Sequence, residues 1–150
     1  MRFLEVTSDN PPQKDWPSPV GPLEGERAIA RAELEILPNP SPGRQYVIHF
    51  SYPEFTCKCP MTGYPDFAVI NIWMVPAGSI VELKSLKLYL NRYREAYGFH
   101  EDVTNRILDE IVERAEPVWA RIVADWNPRG NLTTVITAEH GSENRPGWWR

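Results

Sequence analysis

Between Arg44 and Tyr52 the chain alternates. Tyr46, Ile48, Phe50 and Tyr52 fall on one side, and Gln45, Val47, His49 and Ser51 on the other. A period of two is that of a half-buried strand with one wetter face. Residues 53–66 hold three prolines and a glycine and read as a loop. The run FAVINIWMV (67–75) is nearly all apolar, rich in β-branched and aromatic residues, and reads as a well-buried strand. Pro76–Ser79 reads as a turn. The period then changes. Leu86, Tyr89, Leu90 and Tyr93 stand at the spacing of an amphipathic helix over about 84–96, which Gly98 ends. Val103, Ile107, Ile111 and Ala115 mark a second helix over about 101–115, closed by Pro117. Alternation returns at Val118, Ala120, Ile122, Ala124 and Trp126, and NPRGN (127–131) turns the chain into a last strand at 132–137.

The order strand, strand, helix, helix, strand, strand implies an α+β fold. It would be a four-stranded antiparallel sheet with two helices, inserted between strands 2 and 3, on one face. Such a sheet has two unpaired edges, so assembly into a homo-oligomer through them is expected.

Composition refines this. The length of 150 residues fits one domain. Eight of the 15 prolines lie in the first 42 residues, too dense for long regular elements. Residues 1–28 therefore read as a Pro-rich extended arm, and 29–150 as the domain with a polar tail. Residues 29–37 read as a short strand or helix. With 16 basic and 20 acidic residues the net charge is −4, which lacks the basic footprint of a nucleic-acid binder. No apolar run is long enough to span a membrane, and two cysteines two positions apart make no disulfide framework. A reducing cytoplasmic setting is the expectation.

Chemistry concentrates in three places. The first is the 53–66 stretch, with Cys57, Cys59 and Asp66. A thiolate nucleophile beside a carboxyl proton donor is one reading, and two small residues in a tight turn is the other. Zinc is a third, but it needs three or four ligands, and His49, His100 and His140 form no compact set with the cysteines. The second place is Glu82–Tyr89, where Lys84 and Lys87 share a helical face near the positive end of the helix dipole. An anion such as a phosphate would suit them, and a solvated basic face is the plainer alternative. The third is Phe99-His100-Glu101-Asp102, where a carboxylate would cap a helix or accept from the edge of a nitrogen-rich ring.

Three stretches, PEFTCKCPMTGYPDFA (53–68), VELKSLKLYL (81–90) and GFHED (98–102), carry a resemblance, with NPRG (127–130) as a further counterpart. The chain resembles the NADPH-dependent 7-cyano-7-deazaguanine reductases, the nitrile reductases of queuosine biosynthesis, in their short single-module form. The resemblance spans roughly residues 33–137. It implies that Cys59, which precedes Pro60, is the nucleophile and not Cys57, and that Asp66 is the general acid. It implies that Val81, Glu82, Leu83, His100 and Glu101 line the substrate pocket, and that Lys84, Ser85 and Lys87 lie along NADPH. No metal is implied. The implied reaction passes through a covalent thioimide on Cys59 and consumes two NADPH to give 7-aminomethyl-7-deazaguanine. The implied architecture is the tunnelling fold, in which small subunits join their sheets into a barrel and active sites form between neighbours. The alternatives are an amidinotransferase acting on the same base in tRNA, a zinc-dependent cyclohydrolase relative, and a non-catalytic pterin- or purine-binding protein. Trp148 and Trp149 read as an aromatic plug against a neighbouring subunit.

Overall fold

The computed structural model describes residues 19–149. Most of the proline-rich arm lies outside them. The elements run α1 (Glu24–Ala30), β1 (Ile36–Pro38), β2 (Ile48–Lys58), β3 (Pro65–Val75), β4 (Ser79–Val81), α2 (Leu83–Asn91), α3 (His100–Ala115), β5 (Trp119–Arg129) and β6 (Leu132–His140). A four-stranded antiparallel sheet in the order β2-β3-β5-β6 carries the long strands. The α+β order read from the sequence is thus present, with β2 and β6 at the two edges.

The core lies between this sheet and α2 and α3. Ala68, Ile70, Ile72 and Met74 of β3 and Ala120, Ile122, Ala124 and Trp126 of β5 are buried on the helix-facing side. They meet Leu86, Tyr89 and Leu90 of α2 and Val103, Ile107 and Ile111 of α3. Alternation on the strands and the 3–4 spacing on the helices thus build one apolar layer.

Several boundaries differ from the sequence reading. The stretch 53–66 is mostly strand: β2 runs to Lys58 and β3 begins at Pro65, which leaves only 59–64 as loop. Pairing skips from Tyr52 to Phe55, so Pro53 and Glu54 sit in an irregularity of an edge strand. There the missing N–H of proline costs no ladder bond. Similarly, β5 continues through Pro128 to Arg129, with a register shift after Trp126, and only Gly130 and Asn131 form the turn. Their φ values of 54° and 67° are those of a tight hairpin turn. The helix read over 84–96 ends at Asn91 and tightens into a 3₁₀ turn at Arg92–Glu95.

Three short elements had no clear sequence signal. Helix α1 straddles the boundary drawn at residue 28. Strands β1 and β4 form a second, two-stranded sheet in which Ile36 faces Val81. The tail also differs from its expected place. Trp149 packs against Trp73 and Trp119 of its own sheet, with ring centroids 5.7 Å and 5.9 Å away. Gly141 (φ 66°) makes that return, and a Cβ there would strike the carbonyl of Val118. No helix among the described residues is long and apolar enough to cross a membrane.

Candidate active site

The β2–β3 register places Cys57 opposite Asp66 and Lys58 opposite Pro65. Cys59 is the first residue beyond the end of β2. A short loop follows, closed by Cys59 N–H donating to the Tyr64 carbonyl (2.8 Å) and Gly63 N–H donating to the Cys59 carbonyl (2.8 Å). Gly63 has φ 75°, a conformation that glycine adopts without penalty. Pro60 and Pro65 stiffen the two ends of this loop.

A second segment is tied to the same edge. Lys58 N–H donates to the Ala96 carbonyl (2.9 Å), and Gly98 N–H donates to the Lys58 carbonyl (3.1 Å). The Lys58 ammonium also pairs with Glu95. These bonds make a short parallel bridge that caps the end of β2 and delivers Phe99 and His100 to the cleft. Gly98 is required by space here, because a Cβ would run into Val103 Cγ2.

The result is a cleft of about 380 Å³ lined by Cys59, Thr62, Tyr64, Asp66, His100 and Arg129, with Pro60, Gly98, Phe99 and Glu101 completing the wall. Asp66 is buried at the rim of the core face. Its Oδ1 accepts from Arg129 Nε at 2.5 Å, and its Oδ2 lies 3.3 Å from His100 Nε2. His100, the first residue of α3, lies flat on the buried Trp126 ring. Glu101 follows on α3, and among the described residues its carboxylate makes no ion pair.

The two cysteines sit in opposite environments. The Cys59 thiol is held below its ordinary range, first by the Thr62 hydroxyl and then by the Met61 and Thr62 backbone N–H groups. Donors aimed at sulfur favour the thiolate, the reactive species. Cys57 is buried in β2, and desolvation pushes its thiol up to about 12, with the nearby Asp66 charge adding to the effect. Its S–H points to the Gly98 carbonyl at 3.9 Å. The bare Cys-x-Cys did not separate the two; their surroundings do.

The zinc alternative finds no ligand set among the described residues. His49 stacks on Trp73 with centroids 4.5 Å apart, and His140 ends β6. No group of three or more His, Cys, Asp or Glu side chains among the described residues converges as a metal would require.

Of the ten residues singled out from the sequence, the cleft gathers Cys59, Asp66, His100 and Glu101. The other six lie around the start of α2. Val81 is buried in β4, and Leu83 is exposed. Glu82 caps α2, its carboxylate accepting from Lys84 N–H (2.9 Å) and Ser85 N–H (2.6 Å), and these bonds hold it below the usual carboxylate range. Ser85 is buried with its hydroxyl accepting from Glu35 N–H and donating to the Glu82 carbonyl. Lys84 and Lys87 are exposed at the start of the helix, without ion-pair partners among the described residues. In this subunit, these six residues are not part of the Cys59 cleft wall.

A family model described as "QueF-like protein" matches residues 65–145. A protein of Synechococcus sp. (strain CC9605) named "NADPH-dependent 7-cyano-7-deazaguanine reductase" is 55% identical over 121 residues, 81% of this chain and 94% of its own length. One of the same name from Gloeobacter violaceus is 51% identical over 132 residues, 87% of this chain and 94% of its own length. The chain belongs to the QueF-like family. Among solved structures, the apo form of the archaeosine synthase QueF-Like shares the fold, with a TM-score of 0.60, 16% identity, and coverage of 64% of this chain and 94% of that one.

Within this QueF-like chain, sequence reading assigned no role to Thr62, Tyr64, Phe99 and Arg129, all of which line the cleft. Arg129 had a partial signal, since it lies in NPRG. Its contact with Asp66 joins positions 63 apart and leaves no local trace.

Proposed function

We propose that the Cys59 cleft reduces the nitrile of 7-cyano-7-deazaguanine to the aminomethyl group in queuosine biosynthesis. The chain is an NADPH-dependent oxidoreductase with a small-molecule substrate. The observation that carries the site assignment is the pairing of a donor-stabilised Cys59 thiol with the Asp66–His100 contact in one cleft.

The Cys59 thiolate attacks the nitrile carbon, forming a C–S bond as one C–N π bond breaks. The nitrogen takes one proton, delivered through Asp66 and His100, to give a thioimide. Thr62 and the loop N–H groups lower the pKa of the Cys59 thiol and so favour the thiolate that attacks. Glu101 accepts hydrogen bonds from the nitrogen-rich edge of the base, and Phe99 supplies an apolar wall beside it. Conversion of a nitrile to an amine takes four electrons, and NADPH, when bound, supplies them as two hydride equivalents. The start of α2 fits a phosphate group of that cofactor. Lys84 and Lys87 offer two cations, without ion-pair partners among the described residues, at a helix N-terminus, while Glu82 and Ser85 anchor the turn that presents them.

We read the two groups of residues as meeting between subunits. Edges β2 and β6 are open to pairing with other copies in a tunnelling-fold barrel, and assembly would bring Val81–Lys87 of one subunit toward the Cys59 cleft of another. The test is turnover: the protein is mixed with 7-cyano-7-deazaguanine and NADPH, and absorbance of the reduced nicotinamide is followed. Two NADPH consumed per nitrile supports the reading, and no consumption refutes it.

A further inference from the structure

The hairpin end of β5 carries a residue for which the mechanism above has no task. Arg129 stands three positions after Trp126, whose side chain faces the helix side of the sheet, as does Asp66. In an unbroken strand, a residue three positions on points to the opposite face. The register shift between Trp126 and Arg129, with Pro128 inside it, breaks that alternation. The Arg129 guanidinium instead returns to the Asp66 carboxylate, with Nε donating to Oδ1 at 2.5 Å and Nη2 donating to the Pro65 carbonyl at 3.3 Å. Nη2 also pairs with Oδ1. Bulges that re-aim one side chain recur beside active sites.

The three groups form a chain. Arg129 holds Oδ1, which leaves Oδ2 alone to face His100 at 3.3 Å. Rotation of the carboxylate would break two contacts from the fork, so the fork fixes the plane of the group that carries the proton. The Arg129 side chain is 47% exposed against 6% for Asp66, so it is anchored from the solvent side and not part of the core.

We infer that Arg129 is a positioning residue for nitrile activation, acting through Asp66 by fixing the oxygen that faces His100. This inference rests on the thioimide reading of the cleft.

The experiment measures the rate at which 7-cyano-7-deazaguanine forms its covalent adduct with the full-length protein in the absence of NADPH. Leaving out the cofactor removes any contribution that Arg129 makes by touching it. Five chains are compared: unsubstituted, Arg129→Met, Asp66→Asn, the double variant, and Arg129→Lys as the conservative replacement, with circular dichroism to verify folding. The expected result is a slowing of about tenfold or more for Arg129→Met when Asp66 is present, within the usual range for an acid–base contribution. In the Asp66→Asn background the same change costs less than about twofold, since coupled residues are not additive. Arg129→Lys keeps the charge without the fork and falls between. Equal losses in both backgrounds, or an unchanged adduct rate with a raised KM for NADPH, overturn this inference alone. No adduct on the unsubstituted chain overturns the thioimide reading and this inference with it.

Discussion

His100 lies flat on Trp126, with ring centroids 3.9 Å apart and planes 3° from parallel. Trp126 is itself buried and meets Phe55 edge-on at 5.9 Å. The imidazole that faces Asp66 is thus seated on the core of the sheet, although it begins a helix at the rim.

That seat leads to the first prediction. Trp126→Phe keeps an aromatic surface under His100 and should retain turnover within several-fold. Trp126→Leu removes the stacking plane and should lower kcat by about 10–100-fold, since misplacement of a reacting group by about 1 Å can cost that much. KM for the nitrile should move less than kcat. Steady-state kinetics on both variants, with melting curves to measure the lost packing, checks the split.

Gly98 supplies the second. Adding one methyl there forces Val103 away and with it the first turn of α3. Gly98→Ala should cost about 1–3 kcal/mol, as overpacking generally does, and should lower Tm by about 2–10 °C. Turnover should fall further than stability alone explains, because His100 and Glu101 ride on the displaced turn. A Tm unchanged from the parent chain would refute this account of the glycine.

The cysteines give a third, in pH. The thiolate fraction sets alkylation, so iodoacetamide should modify Cys59 at a pH below that of an ordinary thiol and leave Cys57 untouched in the folded protein. Linkage fixes the sign for stability. The folded Cys57 thiol is raised from its ordinary 9.0 to about 12, so its contribution is complete below 9 and is lost as pH rises toward 12. Cys57→Ala should flatten that part of the alkaline stability curve while leaving adduct formation intact.

The tail gives a fourth. Removing residues 147–150 uncovers Trp73 and Trp119 and should cost about 1–3 kcal/mol, the usual worth of one buried aromatic side chain. The Cys59 cleft lies at the other end of β3 and should keep its adduct rate. Denaturant melts of the truncated chain test this, and an unchanged midpoint would contradict it.

Much of the scaffold is legible in the chain. The apolar run at 67–75 and the stripe at Val103, Ile107, Ile111 and Ala115 announce β3 and α3 because each buries one continuous face. Proline misleads at Pro53 and Pro128. Both sit in irregularities, where the absent N–H costs nothing, so strands continue through residues that read as loop and turn. The site divides along the same line. Cys59, Asp66, His100 and Glu101 are visible as local clusters carried by a family resemblance. The parallel bridge of Lys58 with Ala96 and Gly98, the Trp126 seat and the Arg129 contact join positions tens of residues apart, and no local pattern encodes them. Ser85 shows the reverse case: a residue conspicuous in its motif spends its hydroxyl inside the fold.

The central claim is that Cys59, and not Cys57, carries the chemistry. Trypsin cleaves after Lys58 and so separates the two sulfurs. The measurement is peptide mass spectrometry after incubation with 7-cyano-7-deazaguanine without NADPH. The account predicts added mass of one base on the peptide beginning at Cys59, abolished in Cys59→Ala and kept in Cys57→Ala. Added mass on the peptide ending at Lys58, or turnover by Cys59→Ala, would contradict it.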